Sequence, residues 1–127
     1  MTPDQGMDRI KFHAQPVSDS FLHMLRPYRG LRDDVLNDVM ASLRACASKL
    51  SDEYAPRELM SALWAISHLG RSWALDPGGM LRRNRLINDA DQARLADFLQ
   101  RFDYAVMMLL EGSPEREAFG TESATRE

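Results

Sequence analysis

A single cysteine, Cys46, stands in 127 residues, which excludes an intramolecular disulfide and suits a thiol-permissive cytoplasmic setting. No apolar run reaches the roughly 18 residues that a membrane-spanning helix needs. The start, MTPDQGMDRIKFHAQP, has no apolar segment behind a basic one, so no secretory signal is expected. Histidine is scarce: His13, His23 and His68, with no His-Glu-x-x-His, Cys-x-x-Cys or His-x-x-x-His spacing. No metal centre is therefore expected. The glycine-flanked serine elbow and the phosphate loop are missing, so no catalytic residue is assigned and no cofactor is expected. Strand-like alternation between turn residues is absent too, which removes the case for a sheet.

Lysine is almost missing: two stand against fourteen arginines. Arginine pairs bidentately and sheds water more readily than lysine, so it favours interfaces. Codon usage in a GC-rich gene gives the same bias. The net charge of −3 and pI near 5.6 lower the expectation of a nucleic-acid partner, for which a basic balance is usual.

What is present is helical periodicity. A hydrophobic fraction of 44% suffices for one core in one domain. Leu31, Val35, Val39, Leu43, Cys46 and Leu50 form one stripe and predict a helix over about 31–50. Pro56 can open the next helix, about 56–75, with Leu59, Leu63, Ile66 and Trp73 on one face and Met60, Trp64 and Ala74 beside it. So wide an apolar surface makes this the central helix, with Trp64 in the core. Asn88 is placed to cap a third helix, about 89–111, striped by Leu95, Leu99, Phe102, Val106 and Leu109. Gly112 and Pro114 end it. A short helix over about 20–26 carries Phe21, Leu22, Met24 and Leu25. The expected fold is all-α: a small up-and-down bundle of three long helices plus that short N-terminal one. Residues 18–112 form the domain. Pro3, Gly6 and Pro16 interrupt residues 1–17, which read as a flexible arm, and the polar stretch 113–127 reads as a disordered tail.

Cys46 lies inside an apolar stripe, as a small buried residue does rather than a nucleophile. His68 reads as an ordinary helix histidine. Asp33, Asp34, Asp89 and Asp91 sit at helix starts, where the dipole explains them. The Asp76-Pro77-Gly78-Gly79 turn lacks the lysine and frame of a phosphate cradle. Met107, Met108, Leu109 and Leu110 suit either an adaptable groove or, the preferred reading, core filling. Arg82, Arg83 and Arg85 stand out: three guanidinium groups after a Gly-Gly hinge, near Trp73 and Met80 in sequence. Arginine and tryptophan together are typical of binding hot spots. These five residues are the expected partner-binding site, facing an acidic patch on another protein; the competing reading is a solvated connector whose arginines pair with carboxylates of the last helix. The function expected is a small cytoplasmic protein-binding module: an inhibitor, an immunity-type protector, an adaptor or a chaperone. The alternative is a small-ligand sensor or enzyme with an inter-helical pocket and arginine anchors. Membrane attachment is not expected, and homo-oligomerisation stays open.

Overall fold

The computed structural model describes residues 1–120. The fold is all-α, as the periodicity predicts, with no strand among the described residues. Its helices are α1 (Pro3–His13), α2 (Phe21–Leu25), α3 (Asp33–Ala45), α4 (Ala47–Ser51), α5 (Arg57–Gly70), α6 (Met80–Arg83), α7 (Asp89–Leu110) and α8 (Glu115–Phe119). A π-helical segment, Arg71–Leu75, continues α5.

The N-terminal arm is corrected: residues 3–13 are a helix. Thr2 caps it, accepting from the Gln5 amide at 3.1 Å while its own amide donates to the Gln5 side chain at 2.9 Å. Pro3 fills a first-turn position that needs no N–H. The helix buries Gly6, Ile10 and His13 at the four- and three-residue spacing of one helical face. Gly6 is there because α1 and α3 nearly touch. A Cβ at Gly6 would lie 2.6 Å from the Ser42 carbonyl oxygen and 2.8 Å from Ala45 Cβ. Three ion pairs hold α1 to its neighbours: Arg9 with Asp38 at 2.9 Å, Lys11 with Glu58 at 2.7 Å and Asp4 with Lys49 at 2.7 Å.

The stripe over 31–50 is real but bends. α3 stops at Ala45, Cys46 takes φ −99° and ψ 12°, and α4 resumes. Val35, Val39, Leu43, Cys46 and Leu50 nonetheless all stay buried. α7 matches expectation closely. Asn88 Oδ1 accepts from the Asp91 amide at 2.7 Å, and Leu95, Phe98, Leu99, Phe102, Ala105 and Leu109 face inward. Gly112 ends the helix at φ +82°, with the Ser113 amide reaching back to the Met108 carbonyl at 3.0 Å. The disordered tail is corrected over residues 115–119, which form α8 and bury Ala118. The rest of that tail, 121–127, lies outside the described residues.

The core is continuous, with Phe21, Phe98 and Phe102 at its centre; ring centroids stand 5.9 Å apart for Phe21–Phe98 and 6.1 Å for Phe98–Phe102. No helix among the described residues is long and apolar enough to cross a membrane.

Candidate functional site

α5 buries Leu59, Ala62, Leu63, Ile66 and Gly70 along one stripe. Met60, Trp64 and Ser67 lie one residue further round, and that shift decides what they touch. The expected burial of Trp64 is wrong: its side chain is 67% exposed. It stands on the helix surface, its indole stacked on the His68 ring at 5.2 Å and nearly parallel, 12° between planes. On α7, Met107 is 48% and Leu110 43% exposed, while Val106 and Met108 are half-buried. The run from Met107 to Leu110 is therefore not simply core filling: Leu109 is buried and Met108 packs against the core, while Met107 and Leu110 stay exposed.

Together these side chains line an open apolar groove of about 450 Å³ between α5 and α7, floored by Leu63 and Phe102, with Met60 and Trp64 on one wall and Val106, Met107 and Leu110 on the other. On α5 it extends from Met60 to Ser67, about 10 Å or two helical turns. The polar groups at its edge do not form a reactive pair. The Asp103 carboxylate accepts from Arg71 at 2.6 Å, and Glu111 has no ion-pair partner among the described residues.

The five residues expected at the binding site separate into two kinds. Arg82, Arg83 and Arg85 are exposed. Met80 and Trp73 are half-buried and pack against the core, so they offer a partner little surface. The cause at Trp73 is the π segment. The Asp76 amide bonds the Arg71 carbonyl at 2.9 Å, and this wider turn moves Trp73 out of register with Leu59, Leu63 and Ile66. Ala74 is buried instead, and the Arg26 guanidinium lies over the Trp73 ring at 5.7 Å.

The remaining chemistry-bearing groups are committed within the fold. Cys46 is buried and its thiol donates toward the Leu43 carbonyl at 3.7 Å. Burial pushes the thiol up to about 11, so it stays protonated and unreactive at neutral pH. His13 is fully buried. Its Nδ1 accepts from the Phe21 amide at 3.0 Å, so its Nε2 carries the proton and donates to Asp38 at 2.7 Å. Burial holds the imidazole below its ordinary 6.5, with Arg9 acting the same way and Asp38 opposing. Burial would raise the Asp38 carboxyl, yet the hydrogen bonds from His13 and Arg9 outweigh it and the group titrates below 3.8. Among the described residues no set of three His, Cys, Asp or Glu side chains is arranged to hold a metal. No family model, curated protein or solved structure matches this chain.

Proposed function

We propose that the protein is a non-enzymatic protein-binding module and that the α5–α7 groove is its docking face. The observation that carries this reading is Trp64, a large apolar side chain left in solvent on a helix whose neighbouring stripe is fully buried. Tryptophan dominates binding energetics when a partner desolvates it. Methionines beside it adapt to the shape of what docks, and Met60 and Met107 line the two walls. The His68 ring stacks on the indole, a contact that reduces the ordering left to be done on binding.

The occupant that fits is one amphipathic helix of another protein. Two turns of groove accept apolar side chains at the i, i+3 or i+4, and i+7 positions of such a helix. A second copy of this chain fits less well, because a stable dimer buries about 800 Å² per partner and a handful of exposed apolar side chains supplies less. A small-ligand pocket draws less support as well: orienting a ligand needs converging polar groups, and Asp103 is already taken by Arg71. Cys46 as a buried free thiol supports a cytoplasmic location.

A photoreactive tryptophan analogue placed at position 64 in cells tests the reading, with position 54 as control, since Tyr54 is 81% exposed but lies outside this groove. Position 64 is expected to give a discrete heavier adduct that position 54 does not. No adduct at 64, or the same adducts from both positions, would overturn it.

A further inference from the structure

The short helix α6 ends in the same six-to-one turn as α7. The Leu86 amide bonds the Leu81 carbonyl at 2.8 Å and the Arg85 amide bonds the Arg82 carbonyl at 3.1 Å. The residue at the head of this turn must adopt the left-handed conformation, and glycine is the usual choice. α7 uses Gly112 there; α6 uses Arg85, at φ +57°. A Cβ-bearing side chain is thus held where it is disfavoured, and what it presents to solvent is a guanidinium.

Its neighbours are arranged likewise. Arg82 Nη1 donates to the Leu75 carbonyl at 2.9 Å, which fixes that guanidinium at the end of the π segment. Arg83 and Arg85 are exposed and make no ion pair with any described residue. A further arginine, Arg26, lies over Trp73, and α6 begins against that same residue, since a Cβ on Gly79 would come within 3.1 Å of the Trp73 carbonyl oxygen. Of the carboxylates that flank the turn in sequence, Asp91 is engaged by Tyr28 at 2.6 Å and by Arg94 at 3.4 Å, and neither Asp76 nor Asp89 forms an ion pair with a described residue.

We propose that the α6 turn is a second docking site, which takes a carboxylate-rich segment of a partner protein through Arg83 and Arg85, with Arg82 locked beside them. Two unpaired forks on a rigid turn suit bidentate carboxylate pairing. The shortness of the patch favours an acidic protein segment over nucleic acid, which needs an extended basic surface. The inference stands apart from the groove and would survive its failure.

The test uses the full chain and a short, labelled Glu- and Asp-rich peptide, followed by fluorescence anisotropy at several salt concentrations. Arg83→Ala with Arg85→Gly is expected to weaken binding about tenfold and to flatten its salt dependence. The melting temperature should hold or rise, because glycine suits the left-handed position. Removing the same charge with Arg57→Ala and Arg116→Ala should change affinity less than about twofold, since screened charges elsewhere act weakly. The proposal is overturned if the wild-type chain ignores the peptide, if both double variants lose affinity equally, or if Arg83→Ala with Arg85→Gly unfolds. Tighter, cluster-dependent binding of a single-stranded oligonucleotide of matched charge would also overturn it.

Discussion

The two flanks of α5 are treated differently. On one, α1 lies along Glu58, Ser61, Ala62 and Ala65, close enough for Lys11 to reach Glu58. On the other, beside α7, Met60 and Ser67 are half-buried and Trp64 is left to solvent. The α1 flank carries small residues that let a helix approach, Ala62 buried, Ala65 half-buried and Ser61 exposed; the α7 flank carries the large apolar ones, Met60 half-buried and Trp64 exposed. A stable fold normally hides its largest apolar side chains. This one spends alanine, glycine and a buried histidine on the α1 seam and leaves a tryptophan outside. The contrast underlies the proposal that the seam is structural and the α7 flank an interaction face.

Three perturbations sharpen that contrast. Gly6→Val should have the largest effect. The added side chain would meet the Ser42 carbonyl and the Cys46 amide nitrogen, 2.6 and 2.9 Å from the Cβ position, and backbone cannot step aside as a side chain can. A loss near the upper end of overpacking costs, about 3 kcal/mol, is expected from denaturant titration. A loss under about 1 kcal/mol would mean that α1 does not sit so close.

His13→Ala comes next. It strips the buried Phe21 amide of its acceptor and Asp38 of a donor, and an unsatisfied buried group costs about 1–3 kcal/mol. The same residue gives the seam a pH signature. His13 is held neutral in the fold, below its ordinary 6.5, so the unfolded chain takes up a proton first as the pH falls. Stability is therefore complete above about pH 6.5 and declines as pH falls from there toward the folded value. Asp38 adds a second decline below 3.8, because its folded carboxyl titrates lower than the unfolded one. Equilibrium unfolding across that range should show the first slope in wild type and a weaker one in His13→Ala. Identical slopes would mean that the histidine is not buried neutral.

The sequence made the core helices legible and the two flanks of α5 illegible, for related reasons. α3, α5 and α7 announce themselves because aliphatic residues recur at helical spacing and Asn88 caps where a helix must start. α1 hides because its buried face is Gly6, Ile10 and His13, only one of which an apolar stripe would include. Its true signature was Thr2-Pro3-Asp4-Gln5, a reciprocal cap with proline in the first turn, and the glycine that seemed to break the helix is what lets it dock. Trp64 misleads in the opposite sense. One residue beside the buried stripe, it widens the apolar surface of α5 on paper, yet whether a neighbour covers that edge depends on where α1 and α7 lie. At the arginine turn, Arg82, Arg83 and Arg85 stood out by composition alone. Nothing local revealed that Arg85 would head the turn in the left-handed conformation, because glycine is the residue that announces such a cap.

Trp64→Ala should have the smallest effect on stability and the largest on recognition. An exposed side chain away from core, cap and buried polar groups changes stability by no more than about 0.5 kcal/mol, whereas truncating a tryptophan hot spot weakens binding by at least about 2 kcal/mol, or roughly thirtyfold. The decisive measurement pairs denaturant unfolding of this variant with its affinity for the protein captured at position 64. The expected result is an unfolding midpoint matching wild type with affinity down at least about thirtyfold. A loss of about 3–5 kcal/mol in stability, the cost of emptying a buried tryptophan site, or an unchanged affinity would contradict the account.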